Sequence, residues 1–304
     1  MIKNGQALRT HNQNNLYYLL LTFIFLILTI TFIVTKDFTE KKVNAESVNT
    51  PVTSSIKNSL HVNTPVQTSN KKDDKNTYDA AKISALLSYK EKNDGRKIAF
   101  LTFDDGPSTT VTPQILDILK QFNIKATFFL VGENIEMNEK SKELVKRVFN
   151  EGHSIGNHTY SHNRGNMLFP KKKVNVPVFM EDIKKTDEAL KTVLGPEFST
   201  KILRLPGGYM SRTYYRDPNL PELNANLKKE NMISIDWNVE SKDAVGKKNK
   251  SASELFNILK QEIGMKSKVI ILLHDTYGKM HTASALPQLI EYLKGQGYEF
   301  KTIK

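Results

Sequence analysis

The chain has 304 residues, of which 39% are hydrophobic, and a formal net charge of +12 at pH 7. This length allows one large domain with extensions, and the absence of Cys excludes disulfide bonds and thiolate catalysis. The positive charge favours an anionic partner. A membrane surface or an acidic polymer is favoured over nucleic acid, because the sequence shows no nucleic-acid-binding motif. A Lys- and Asn-rich source proteome is an alternative explanation of much of this charge.

The N-terminal quarter divides by composition into three segments. Residues 1–15 are polar, and we expect them to be a cytoplasmic N-terminus. Residues 16–35 carry no charge and would span about 30 Å as a helix, so we predict an uncleaved transmembrane anchor. The alternative is a cleaved signal peptide, with Val43-Asn44-Ala45 as its cleavage site. Residues 36–75, rich in Ser, Thr, Asn and Lys, predict a flexible stalk.

The remaining residues predict an α/β domain over 97–304, preceded by a helical lead-in over 76–96 whose packing the sequence leaves open. Apolar runs predict strands at 97–103, 125–131, 153–157, 202–205, 232–237, 268–273 and 298–303. Amphipathic patterns predict helices at 111–122, 139–150, 178–194, 251–263 and 282–295, with a basic insertion at 165–177. This alternation indicates a parallel sheet, either a barrel or an open doubly wound fold. About seven strands in about 210 residues are too few for a complete eight-stranded barrel, which takes about 250 residues.

Two adjacent carboxylates, Asp104 and Asp105, end the first of these strands. Open sheets and barrels keep their active sites at the carboxyl ends of strands. Neighbouring residues point in different directions, so one carboxylate can bind a metal while the other takes a proton. The alternative is a plain turn, because Asp-Gly and Gly-Pro are common turn formers.

Two histidines, His158 and His162, follow another predicted strand. In one helical turn this spacing places both imidazoles on one face, where they and Asp105 would supply three ligands to a metal ion. Three protein ligands with one open position are the usual form of a catalytic zinc site. Surface or hydrogen-bonding histidines are the alternative. His153, at the start of its strand, is interpreted as structural.

Three further strand ends carry polar residues. His274 is a candidate general acid, and Asp236 is predicted to pair with it and raise its pKa. Trp237 would form an apolar wall of the pocket. Arg204 precedes a glycine-rich turn that ends at Tyr209. Taken singly, each has an alternative structural reading as a satisfied histidine, a solvated carboxylate beside a core tryptophan, or a tight loop.

This set of motifs, in this order, resembles the polysaccharide deacetylases of the NodB type, carbohydrate esterase family four. The resemblance covers the chain from about residue 97 to 303. It rests on Thr102-Phe-Asp104-Asp105-Gly-Pro107, on His158 and His162, on Arg204 and Pro206, on Asp236-Trp237, and on Leu272-Leu273-His274. It implies a distorted (β/α) barrel with fewer than eight strands.

The resemblance also implies roles for these residues. Asp104 would be the catalytic base, oriented by Arg204, and His274 the catalytic acid. Asp105, His158 and His162 would bind the metal, which in the family is usually zinc, with cobalt and other divalent ions also serving. Substrate and oxyanion contacts are expected from Pro206, Gly207, Tyr209, Trp237 and Leu272. Gly207 stands where the family often has Tyr or Phe, so it keeps the N–H that helps bind the oxyanion in relatives but lacks the ring.

These expectations predict a metal-dependent deacetylase of an N-acetylated cell-wall polysaccharide, most economically at N-acetylglucosamine in peptidoglycan. Its catalytic domain would lie outside the membrane on a single-pass anchor, or be secreted if the signal is cleaved. Alternatives within the enzyme class are chitin-like oligomers, N-acetylmuramic acid, an exopolysaccharide or O-acetyl esters. A catalytically silent wall-binding module and a hydrolase of phosphate or peptide bonds are alternatives of other classes. The oligomeric state is not defined by the sequence.

Overall fold

The computed structural model describes residues 76–88, 94–246 and 249–304. The predicted anchor and stalk lie outside these residues. Within the described part of the chain, no helix combines the length and the apolar character needed to cross a membrane.

A curled parallel sheet forms the centre of the domain and confirms the predicted α/β class. Its strands are β2 (Ile98–Gly106), β3 (Thr127–Leu130), β4 (Ser154–Asn157), β5 (Ile202–Leu203), β6 (Ile233–Ser234), β7 (Val239–Glu240) and β8 (Lys268–His274). They are hydrogen-bonded in the order β6-β5-β4-β3-β2-β8-β7, and β9 (Glu299–Phe300) pairs with the start of β2. This strand order and the curl of the sheet make it a half-barrel. The carboxyl ends of its strands lie together at one edge, which we call the rim.

The segment 233–240 crosses between the two ends of this sheet. Its first part, β6, pairs with β5, and Ile235 N–H donates to the Leu203 carbonyl. Its last part, β7, pairs with β8, and Asn238 N–H donates to the Ile270 carbonyl. The prediction contained one strand at 232–237, and β7 was missed because two residues carry no readable period.

Helices flank the sheet, and six of the nine in the described residues correspond to the five predicted helices and the predicted lead-in. The helices are α1 (Ala80–Leu87), α2 (Thr112–Gln121), α3 (Gly132–Glu136), α4 (Glu139–Asn150), α5 (Val176–Leu194), α6 (Tyr209–Tyr214), α7 (Leu220–Lys229), α8 (Ala252–Ile263) and α9 (Met280–Gly295). Of these, α3, α6 and α7 were not predicted. The predicted last strand is divided into β9 and β10 (Thr302–Ile303), because β10 leaves the main sheet and pairs with β1 (Thr77–Tyr78).

Side-chain alternation along β2 separates the core from the site. Leu101 and Phe103 belong to the large outer cluster beneath the helices, whereas Phe100 belongs to the cluster inside the half-barrel. With a period of two, Thr102 and Asp104 face the same interior as Phe100. The lead-in helix closes this interior, since Ala80 and Ile83 lie in the same inner cluster.

Candidate active site

Asp104 is a buried carboxylate held by a buried arginine. Its side chain is 4% exposed, and its Oδ1 accepts a hydrogen bond of 2.8 Å from Arg204, which is fully buried. The same guanidinium donates to Thr102 Oγ1 and to the carbonyls of Ile235 and Asp236. Because a buried charge is costly unless it is paired and hydrogen-bonded, this network fixes Asp104 in one position.

Asp105, His158 and His162 are brought together at the same rim. They are the one group in the described part of the chain whose ligand atoms all lie within 4.8 Å of one another. Asp105 Oδ1 is 3.2 Å from His158 Nε2 and 3.0 Å from His162 Nε2. Burial alone would raise the pKa of Asp105, but the two imidazoles offset it and hold the pKa well below its ordinary value.

The prediction of a helical turn between His158 and His162 is wrong. Residues 158–163 form an irregular loop in which Thr159 and His162 have left-handed backbones, with φ of 65° and 48°. Asp182 holds this loop, because its Oδ2 accepts hydrogen bonds from the backbone N–H groups of Tyr160 and Ser161. Asp182 was not predicted, since an acidic residue within helix α5 carries no signal of such a contact.

The tautomer of His158 makes Asp105, His158 and His162 suited to binding a cation. Its Nδ1 is 2.7 Å from the Arg204 carbonyl, which can only accept, so Nδ1 carries the proton. In the neutral ring Nε2 then presents a lone pair toward Asp105, whose Oδ1 is buried without a hydrogen-bond partner among the described residues. Two imidazole nitrogens and one carboxylate oxygen are ligands that zinc accepts. The residues present therefore fit a divalent metal ion.

His274 lies across the rim from His158, with its Nε2 4.0 Å from Asp105 Oδ2. Its Nδ1 is 2.6 Å from Asp243 Oδ1, and Asp243 Oδ2 accepts hydrogen bonds from His274 N–H and Thr282 Oγ1. Burial opposes protonation, but the hydrogen bond and charge of Asp243 dominate and raise the pKa of His274 to about 9. The geometry presents a protonated Nε2 toward the three ligand residues.

The predicted pairing of Asp236 with His274 is wrong. Asp236 Oδ1 and Oδ2 instead accept hydrogen bonds of 2.8 and 2.7 Å from the backbone N–H groups of Tyr209 and Met210, at the start of α6. Burial raises the pKa of Asp236 despite these bonds. The partner of His274 is Asp243, which sequence reasoning missed because it lies in a loop after a strand too short to predict.

Asp275 is a third carboxyl group, after Asp182 and Asp243, that sequence reasoning missed. It is completely buried, and Thr112 Oγ1 donates to its Oδ2 at 2.5 Å. Its side chain fills the space that a Cβ would need at Gly106, so the turn after Asp105 requires glycine there. Burial, opposed by the Thr112 hydrogen bond and reinforced by the charges of Asp105 and Asp104, raises the pKa of Asp275 to about 7.

The residues expected to contact substrate lie in β8 or follow β5 and β6. Leu272 and Pro206 are buried, and Gly207 is exposed with φ of 74°. Gly208 also has a positive φ, and a Cβ there would come within 2.9 Å of Trp237. Tyr209 Oη accepts a hydrogen bond from Asn224. Trp237 stacks at 5.5 Å on the guanidinium of Arg204, so one function of this ring is to cover that charge.

Known proteins are similar to this chain in sequence and in fold. The profile of the family "Polysaccharide deacetylase" matches residues 91–220. A bifunctional xylanase/deacetylase of Pseudobutyrivibrio xylanivorans is 36% identical over 208 residues, and a peptidoglycan-N-acetylglucosamine deacetylase of Bacillus cereus is 39% identical over 205. These matches cover 68% and 67% of the chain, but they span 30% and 66% of the relatives' own lengths.

A solved structure agrees with these matches over the whole domain. The structure of a Streptococcus mutans CE4 esterase superposes with a TM-score of 0.67 and 32% identity, covering 76% of this chain and 93% of that one. Sequence, sheet and rim therefore lead to one assignment: the chain belongs to the NodB-type polysaccharide deacetylases, carbohydrate esterase family four.

Proposed function

We propose that the protein removes N-acetyl groups from N-acetylglucosamine residues of peptidoglycan and releases acetate. One observation carries this proposal: three metal-ligand side chains lie between a buried carboxylate and a histidine that is paired with an acid. A base and an acid on opposite sides of a cation site are what amide hydrolysis needs, because the amine leaves only when it is protonated.

Each side chain has a task that follows from its contacts. Asp104 Oδ1 is held by Arg204, so Oδ2, 3.7 Å from His158 Nε2, is the atom that takes the proton of the attacking water. His274 Nε2 donates its proton to the leaving nitrogen, while Asp243 stabilises the imidazolium. A divalent cation at Asp105, His158 and His162 would polarise the acetyl carbonyl and lower the pKa of the water. We assign zinc to this site from its ligands, and oxyanion binding to the N–H of Gly207.

The choice of polymer rests on the relatives and on the N-terminal sequence. The similar protein of Bacillus cereus is named a peptidoglycan-N-acetylglucosamine deacetylase. An uncharged segment at 16–35 followed by a polar stretch would place the domain beside a polymer just outside the membrane. We therefore propose a single-pass membrane protein with its catalytic domain outside.

Acetate release by the full chain in detergent tests this function. Peptidoglycan and N-acetylglucosamine oligomers would be compared with zinc, with chelator and with chelator followed by zinc, using Asp104→Asn as the inactive control. Release from peptidoglycan that chelator stops and zinc restores is the expected result. Release from oligomers alone would contradict the polymer assignment, and no release from either would contradict the deacetylase assignment.

A further inference from the structure

Two segments at the catalytic rim carry a concentration of positive charge. The segments 164–173 and 209–217 contain six cationic side chains and one carboxylate. We call the cations the basic rim: Arg164, Lys171, Lys172, Lys173, Arg212 and Arg216. The carboxylate, Asp217, accepts hydrogen bonds from the backbone N–H groups of Val174 and Asn219, and Arg164 pairs with Glu133.

The two segments form one surface. They follow the carboxyl ends of β4 and β5, which are paired neighbours in the sheet, so they stand at the end that carries His158 and Arg204. Arg212 Nη1 donates to the Lys172 carbonyl at 3.2 Å, and Lys172 Nζ lies 4.6 Å from the Tyr215 ring. Leu168 and Phe169 anchor the first segment in an apolar cluster. The surface is thus built in place before any ligand arrives.

Arg212 is a buried cation without an ionic partner. It is 7% exposed and lies between Phe169 and Tyr215, 4.4 and 5.3 Å from their ring centroids. Its Nε has no hydrogen-bond partner, and no carboxylate of the described residues makes an ion pair with it. Burial outweighs the charge of the nearby Asp217 and lowers the pKa of Arg212, so a further anion near this guanidinium would be favoured.

The lysines beside Arg212 are exposed, and none of them forms an ion pair with a carboxylate of the described residues. Lys171 and Lys172 have left-handed backbones, with φ of 51° and 64°, a conformation disfavoured for residues with a Cβ. Such backbones persist only where the surrounding structure holds them, so the fold fixes the positions of these two lysines. Next to them, Tyr214 is 82% exposed, which offers a ring face for sugars.

We propose that the basic rim is a subsite for anionic groups carried by the polymer on either side of the N-acetylglucosamine to be deacetylated. Such groups are the carboxylates of the peptide stems that peptidoglycan, the proposed substrate, carries. This inference rests on the proposed function and specifies its substrate as a charged, not a neutral, glycan.

Binding to insoluble wall material tests the rim without requiring turnover. Co-sedimentation would compare the full chain with K171Q/K172Q/K173Q and with the control K120Q/K146Q/K191Q, which removes equal charge from exposed positions on the outer helices α2, α4 and α5. We expect the rim variant to bind intact walls at least about fivefold more weakly and the control to bind like the wild type, with added salt reducing the difference. Equal binding by all three proteins would overturn the proposal.

Walls from which the peptide stems have been removed test the source of the anion, because the advantage of the wild type over the rim variant should vanish there. It should persist on walls from which phosphate polymers have been removed, and the opposite pattern would overturn the assignment to the stems. Kinetics with neutral N-acetylglucosamine oligomers complete the test. We expect the rim variant to raise KM for the charged substrate with kcat unchanged and to leave KM for the oligomers unchanged. A similar rise of KM on both substrates would overturn the charge assignment. Failure of the wild type to deacetylate any substrate, with binding still dependent on the rim, would instead overturn the proposed function.

Discussion

The rim has two flanks, one formed by His274 and Asp243 and the other by Asp105, His158 and His162. They differ in whether their charged groups are paired within the chain. On one flank, Asp243 bonds to the ring and the backbone of His274 and to Thr282, so Asp243 and His274 have partners within the chain. On the other, Asp105 Oδ1 faces two imidazole nitrogens without a hydrogen bond. The first flank is complete as folded, whereas the second would be completed by a cation. Substitutions on the two flanks should therefore fail in different ways.

The largest effect is expected on the incomplete flank. Replacing Asp105 by Ala removes one of three ligands, so bound zinc should be lost and kcat should fall by at least about 10³-fold, since Lewis acidity is worth several kcal/mol. Metal content of the purified protein and acetate release measure both effects. Full activity of this variant with no bound metal would contradict the inference that the flank with Asp105 needs a cation.

Asp104→Asn separates metal binding from proton transfer. The amide keeps the shape of the carboxylate but cannot take a proton, so turnover should fall by roughly 10²- to 10⁴-fold with zinc retained. Metal analysis beside activity is the measurement. Loss of zinc together with activity would refute the division of labour between Asp104 and Asp105.

Asp243→Asn tests the complete flank through pH. The pKa of His274 is raised to about 9, so the acid is present below that pH and is lost as the pH rises through it. Without the Asp243 charge the pKa falls, so the basic limb of the kcat profile should move to lower pH, with kcat reduced about 10²-fold at neutral pH. The comparison uses equally metal-loaded enzymes, and an unmoved basic limb would contradict the pairing.

Asp236→Asn is the matched control and should have the smallest effect. Asp236 binds the N-terminus of α6 and not His274, so the pH profile should keep its shape with activity within about twofold of the wild type. Weaker capping should cost about 1 kcal/mol, a fall in Tm of a few degrees. A basic limb displaced as in Asp243→Asn would restore the original pairing of Asp236 with His274.

The hydrophobic pattern of the sequence predicted where the strands end, but it did not predict in which direction the side chains at those ends point. The long buried strands β2 and β8 carry continuous apolar runs, so the positions of Asp104, Asp105 and His274 at their ends followed directly. That Asp236 ends a strand was also readable, but the direction of its carboxylate is set by α6, whose six residues have no clear period. Asp243 and Asp182 act from a loop and a helix, where nothing local indicates the distant group they contact.

The buried guanidinium of Arg204 has a consequence for comparing sequences. Of its partners, only Asp104 belongs to the proposed chemistry, while Thr102 and the carbonyls of Ile235 and Asp236 belong to the half-barrel itself. A descendant that lost deacetylation would still need this side chain to fold, so selection would keep it. The presence of this arginine in a related sequence therefore reports the architecture, and activity is better diagnosed from Asp105 and His162.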